Sequence, residues 1–261
     1  WLADGHAGSL TKMNEGGAEV DETCLSCHSA DAGFGQRRIA LHTEGELSDP
    51  APQAATPATA QYGVTCIACH APHKAGADGE RVAYQTGSTD LYALCTQCHS
   101  NPDPTFVHYP AREMFEGVTI VANVVAVPSS HFTEETGPRC VTCHMDGVPT
   151  ADNLLVSSHS QQPVLPGPAA ATDGLPDSCL NCHQRQVDAL QMQTLIDDVQ
   201  ADTAGRLETL KAAVTDSTAD WAKTALAFVE QDGSLGIHNY AYTDALLDAV
   251  EAELGLDTPD T

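Results

Sequence analysis

The sequence predicts a mainly α fold with extensive loop and little β. Three observations carry that reading. Apolar residues recur near helical spacing from residue 187 to residue 254. The first 180 residues instead alternate short cysteine–histidine heads with Pro/Ala-rich stretches. A single apolar run, "VTIVANVVAV" from Val118, reads as a buried strand or extended segment.

The heads come first along the chain. They are "CLSCH" from Cys24, "CIACH" from Cys66, "CTQCH" from Cys95, "CVTCH" from Cys140 and "CLNCH" from Cys179, and they contain all 10 cysteines. A C-x-x-C pair alone can hold zinc, run thiol–disulfide exchange or attach haem. Zinc takes two such pairs, or one pair with two histidines at finger spacing, and an odd number of pairs does not divide that way. A redox dithiol needs no histidine directly after it. Haem c needs all three residues: two thiols form thioethers to the vinyl groups, and the adjacent imidazole binds the iron. The five heads therefore predict five covalent haems, attached through Cys24, Cys27, Cys66, Cys69, Cys95, Cys98, Cys140, Cys143, Cys179 and Cys182. The proximal ligands are His28, His70, His99, His144 and His183.

Composition agrees with a chain cored by haem. Aromatic residues are only 5% of 261 residues, so apolar porphyrin plates take the part that disulfides or metals take in other poorly cored chains. Each head is expected to open a short helix. Successive first cysteines lie 42, 29, 45 and 39 residues apart, too unevenly for a solenoid. "SDPAPQAATPATAQ" (48–61) and "QQPVLPGPAAATDGLP" (161–176) read as extended surface connections, because proline lacks the N–H of a regular ladder. These features assign 1–183 to a pentahaem-binding region and 184–261 to a helical C-terminal region, the two forming one structural unit.

Three helices are expected in that C-terminal region. The first carries Val187, Leu190, Leu195, Val199, Leu207, Leu210 and Val214, weakened by Gly205. The second runs from Ala219 to Glu230 with Trp221, Leu226 and Val229 inward, and "QDG" ends it. The third starts after Asn239, a good cap, and carries Leu246, Leu247, Val250 and Leu254 before Gly255.

Charge limits the partners. Asp plus Glu total 36 against 11 Lys plus Arg, a net charge of −25. Nucleic acid and anionic membrane surfaces are therefore excluded, since binding would repel rather than release counterions. No apolar run approaches the roughly 18 residues of a membrane span. The chain begins at Trp1, read as the result of signal-peptide removal. Haem c is attached outside the cytoplasm, so the expected compartment is periplasmic or extracellular.

Seven histidines lie outside the heads: His6, His42, His73, His108, His131, His159 and His238. Five irons each want a second axial ligand. Of the methionines, Met145 follows a proximal histidine and cannot reach back over the same iron, and Met192 reads as helix packing, leaving Met13 and Met114. Two histidines per iron is the expectation, which favours low potentials and irons closed to other ligands.

The stretch "SHFTEETGPRCVTCHM…SSH…CLNCH", followed by a helical region and "GIHN", resembles the C-terminal half of the ammonia-forming cytochrome c nitrite reductases and their multihaem relatives. "ADGHAGSL" is similar to that family's N-terminal histidine segment. The resemblance implies that His6 binds the third haem, His131 the fifth, His159 the second and His238 the fourth. It leaves the first haem to His73 or His108, with His73 preferred because "CHAPH" carries it on the second head. His42 reads as solvated. One departure bears on function: the reductases end the first head in lysine and keep that iron open, whereas His28 stands here. Their catalytic tyrosine and histidine have no match. The resemblance therefore implies electron transfer between redox proteins or extracellular acceptors rather than an enzyme, with a periplasmic reductase of a small nitrogen or sulfur oxyanion as the alternative. The spare histidines add a further expectation, that copies join head to tail into a filament.

Intact mass tests the count. Protein matured in a competent host should exceed its polypeptide mass by five haem groups, and four or fewer would overturn it. Replacing Cys95 or Cys98 should remove the third haem and destabilise the whole fold.

Overall fold

The computed structural model describes residues 5–17, 19–31, 55–71, 83–84, 91–101, 106–132, 137–149, 155–157, 159–163 and 178–256. His42, His73 and parts of both Pro/Ala-rich stretches lie outside them. The chain falls into two compact units, residues 1–98 with 158–162, and residues 99–157 with 163–261. The regions 1–183 and 184–261 are a division by role, which these units neither repeat nor exclude.

The first unit is built from short pieces. Helix α1 (Ser9–Glu15) and helix α2 (Glu22–His28) close Leu10 onto Leu25, with Met13 and Ala60 packed against them. Asp21 starts α2, its side chain accepting from the amides of Thr23 at 2.8 Å and Cys24 at 3.1 Å, as an N-cap does. Ser9 locks the pair: its hydroxyl donates to the His28 carbonyl at 2.9 Å and accepts from the Val64 amide at 3.1 Å. Gly63 is required there, because a Cβ would stand 2.6 Å from the Ala7 carbonyl oxygen. Helix α3 (Cys66–Cys69) runs into strand β1 (His70–Ala71), which pairs antiparallel with β2 (Ala83–Tyr84). Helix α4 (Leu91–Thr96) follows.

The second unit holds helix α5 (Ala111–Glu116), helix α6 (Cys140–His144), the antiparallel ribbon β3 (Gly147–Pro149) and β4 (Leu155–Ser157), and helix α7 (Leu180–His183). Three long helices complete it: α8 (Ala189–Ala213), α9 (Asp220–Asp232) and α10 (Tyr240–Leu254). Leu207 and Leu210 of α8 meet Leu226, Phe228 and Val229 of α9 and Tyr242, Leu246, Leu247 and Val250 of α10 in one apolar core, with Met114 from α5. Arg206 ties α8 to α10 through Asp244 at 2.6 Å, Asp248 at 2.5 Å and Glu251 at 2.9 Å. The architecture is mainly α, and its β content among the described residues is two short ribbons.

Three details differ from the expectations. The third head does not open a helix; α4 ends inside it at Thr96. Helix α8 runs unbroken through Gly205 over 25 residues, but its inward face is not the expected one. The buried stripe of that unbroken helix is Ile196, Thr203, Leu207 and Leu210, so Leu190 and Leu195 fall off it and stand 69% and 52% exposed. The run from Val118 is irregular, with Val121 and Val124 buried and Val125 exposed. Some of its backbone groups go to side chains instead of a strand: the Tyr242 hydroxyl donates to Val118 O at 3.0 Å and accepts from Ile120 N at 3.2 Å.

Asn239 joins these parts. Its side chain caps α10 by accepting from the Tyr242 amide at 3.2 Å, and its amide donates to Met114 O at 2.9 Å and Val127 O at 2.7 Å. Asn239→Ala should destabilise the haem-bearing protein by about 3 kcal/mol, from one lost cap and the two lost hydrogen bonds to Met114 O and Val127 O. Asn239→Ser should recover the cap, about 1 kcal/mol, as read by denaturant unfolding.

Candidate haem-binding site

One helical turn places residues i, i+3 and i+4 on the same side of a helix. The fourth head shows this most fully: α6 is the whole of "CVTCH", so Cys140, Cys143 and His144 share a face. The first head ends α2, the second begins as α3, and the fifth has Cys179 as the N-cap of α7. Local helix geometry thus presents two thiols and one imidazole together in the fourth head, and both thiols and the histidine of the first head also lie within one helix.

The heads also lie close to one another within each unit. In the first unit a hydrogen bond to Cys98 holds the Cys27 thiol down at about 6 against its burial, with help from Ser26 and His28. The Cys98 thiol is pushed up by the same bond, then by burial and by the charges of Cys27 and Cys69. In the second unit burial pushes up the Cys143 thiol, and Asp146, Cys182 and Cys140 add to it. There Ser178 Oγ donates to Cys143 O at 2.9 Å, and Asn181 Nδ2 donates to Asp146 Oδ2 at 2.5 Å. As thioethers these sulfurs do not titrate; what matters is that the second cysteines of heads one and three, and of heads four and five, are neighbours.

The histidines outside the heads decide the fit. The His70 and His159 ring centroids stand 6.2 Å apart, His144 and His238 6.1 Å, and His131 and His183 6.0 Å. An imidazole nitrogen sits about 2 Å from a first-row metal ion, with the ring centroid roughly 1 Å further, so two imidazoles on one ion place their centroids about 6 Å apart. All three separations fit an iron between the rings. His108 lies 5.3 Å from Tyr109, which stands 5.9 Å from His99. His6 is in the first unit, where its carbonyl accepts from the Ser9 and Val64 amides. Met114 is fully buried in the apolar core, its sulfur accepting from Thr243 Oγ1 at 3.6 Å.

Two ring nitrogens have partners that orient them. His28 Nδ1 is 3.4 Å from the Ser9 carbonyl, which accepts when Nδ1 is protonated. His238 Nδ1 donates to Asp232 Oδ1 at 2.7 Å. Burial opposes protonation of His238, and the Asp232 bond and charge outweigh it, raising its pKa. Burial lowers that of His131, and His183 adds to the effect. The sequence reading missed Ser9 and Asp232. "GSL" and "QDG" contain them, but only as helix-boundary signals, and nothing in the spacing aims Asp232 at a ring six residues later.

Comparisons with known proteins bear on the heads and on the fold. The doubled CXXCH motif family matches residues 57–103, which hold heads two and three. The chain is similar to the outer cell wall cytochrome OcwA, with 32% identity over 97% of this chain and 49% of that one, at a TM-score of 0.73. It shares the fold of an undecahaem cytochrome from the S-layer of Carboxydothermus ferrireducens, with 24% identity, 98% and 41% coverage and a TM-score of 0.62. It also shares the fold of cytochrome c nitrite reductase from Desulfovibrio desulfuricans, with 13% identity, 96% and 69% coverage and a TM-score of 0.61. The chain spans about half or less of the length of the first two. No curated protein sequence matches it. No helix among the described residues is long and apolar enough to cross a membrane.

Proposed function

We propose that the chain, which is a multihaem c-type cytochrome related in fold to cytochrome c nitrite reductase, carries electrons through five covalently attached haems c, each held between two histidines. The observation that carries this reading is the set of three imidazole pairs at 6.0, 6.1 and 6.2 Å, each joining a head histidine to one outside the heads. When bound, each haem stores one electron at its iron, and a histidine on both sides leaves no coordination position for a substrate. The chain supplies the rest. Ten cysteines tether the groups, and the contacts between heads keep them close. His159 serves the second haem, His238 the fourth, His131 the fifth, His6 the third and His73 the first. His28 ends the first head where the reductases have lysine, and this favours a carrier over a reductase.

The setting is extracellular or periplasmic, supported by the outer cell wall and S-layer cytochromes that the chain resembles. Its partners are redox proteins or extracellular acceptors, and further copies of itself. In a filament, His108 or His42 of a neighbouring copy would take the place of His73 at the first haem, since the resemblance assigns neither of them to another haem. A contact of this kind repeats without closing and yields a filament. The −25 charge opposes it, so the contact needs screening by salt or local neutralisation of carboxylates.

Spectra test the carrier. The oxidised protein should be low-spin throughout by absorption and EPR. A dominant high-spin signal, or turnover of nitrite or hydroxylamine with a low-potential donor, would instead favour the reductase. His238→Ala should convert one haem in five to high-spin and raise its potential; unchanged spectra would remove His238 from the ligand set. Imaging of protein from its native source should show filaments, and monodisperse monomers at physiological salt with every iron ligated from its own chain would leave a soluble shuttle.

A further inference from the structure

The turn between α9 and α10 holds a buried carboxylate whose surroundings define a role. Asp232 ends α9, and its side chain is 1% exposed. Oδ1 accepts from His238 Nδ1 at 2.7 Å. Oδ2 accepts from the Ser234 amide at 3.3 Å and from the Ser234 hydroxyl. Ser234 Oγ in turn accepts from the His238 amide at 3.1 Å, so one turn fixes both backbone and ring of this histidine. Gly236, at φ +93, lets the turn pass under α8, where a Cβ would meet Thr203 Oγ1 at 3.0 Å and Val199 Cγ1 at 3.1 Å. Gln200 Nε2 holds the turn from the same helix by donating to Ser234 O at 3.2 Å.

No lysine or arginine among the described residues pairs with Asp232; its one ion-pair partner is His238. A buried carboxylate with no cation of its own is costly. The centroid of the His144 ring stands 6.1 Å from that of His238. A metal between those rings would supply the missing positive charge, through the carboxylate–histidine–metal arrangement that fixes tautomer and raises ligand basicity.

We propose that Asp232 is a positioning residue for the fourth haem: it fixes His238 as the Nδ1–H tautomer, presents Nε2 to the iron with imidazolate character, and sets this haem below the fifth in reduction potential. The proposal rests on the reading that His144 and His238 face each other across an iron. A proton drawn toward Asp232 leaves more negative charge on Nε2, which stabilises the ferric over the ferrous state. The buried carboxylate charge acts in the same direction. At the fifth haem, the His131 ring has no carboxylate partner among the described residues.

The test compares haem-bearing wild type with Asp232→Asn, Asp232→Glu, Ser234→Ala and His238→Ala by spectroelectrochemical titration and low-temperature EPR. Asp232→Asn should keep the haem count and low-spin state, while the midpoint of one haem rises and its low-spin signal moves to a weaker ligand field. Asp232→Glu should move both back toward wild type. Ser234→Ala removes a donor from Oδ2, concentrates charge on the His238 bond and should shift the same midpoint downwards. If Asp232→Asn changes no midpoint and no signal while His238→Ala makes one haem high-spin, the ligand pair stands and the role of Asp232 is overturned. If His238→Ala also changes nothing, the pairing itself fails. Should Asp232→Asn not mature, Ser234→Ala decides alone, and an unmoved midpoint overturns the proposal.

Discussion

The separation of about 6 Å between facing imidazoles is the constraint on which the rest depends. A head such as the fourth brings its own thiols and histidine to one helix face by local geometry alone. The ring that stands opposite His70, His144 or His183 comes from elsewhere in the chain, from His159, His238 or His131. Structure outside the heads can be understood as support for those deliveries. His131 follows a turn in which the Phe132 amide donates to Ser129 O at 2.9 Å and the His131 amide to Ser129 Oγ at 3.2 Å. His238 is held at the entrance to α10.

The two units meet this constraint by different means. Among the described residues, the first unit has a small buried cluster centred on Leu10 and Leu25, and relies on polar locks such as Ser9. The second has an apolar core of its own, with Phe228, Tyr242, Leu210, Leu246 and Leu247 almost wholly buried. Truncating such residues leaves cavities that cost several kcal/mol, so α8, α9 and α10 form a firm base for the turn carrying His238. The low aromatic content therefore hides an uneven distribution. Among the described residues, apolar packing is concentrated where the chain is helical, in α8, α9 and α10.

Much of this was legible in the sequence, because it depended on local or periodic signals. Asn239 and Gly255 bounded α10 as caps do, the first by its side-chain bond to Tyr242 N and the second by its left-handed backbone. The head histidines and the partners expected for His70, His144 and His183 followed from motif and resemblance, and the structure brings those same pairs of rings together. What stayed hidden depended on three-dimensional placement. The face of α8 could not be fixed while Gly205 left a break open, so Leu190 and Leu195 were assigned inward when Ile196 takes that place. The apolar run from Val118 reads as a buried strand or extended segment because pattern cannot show that Tyr242 and Asn239 capture some of its backbone groups. Asp232 was invisible as a functional residue for the same reason: "QDG" signals a helix end whether or not its carboxylate meets a ring.

Charge links these observations to electron transfer. A chain with 36 acidic and 11 basic side chains resists every added electron, and the effect is strongest where a carboxylate is buried rather than screened by water and salt. Surface acids raise that resistance broadly and weakly, because each lies in high dielectric within a screened field. Asp232 differs in both respects, being almost fully enclosed and bonded directly to His238. A general acidic surface lowers haem potentials together, whereas an enclosed group at one ring acts on one haem more than on its neighbours. Direction along a chain of similar haems needs such local differences. The turn that positions His238 is therefore also where the sequence can set the order in which electrons settle.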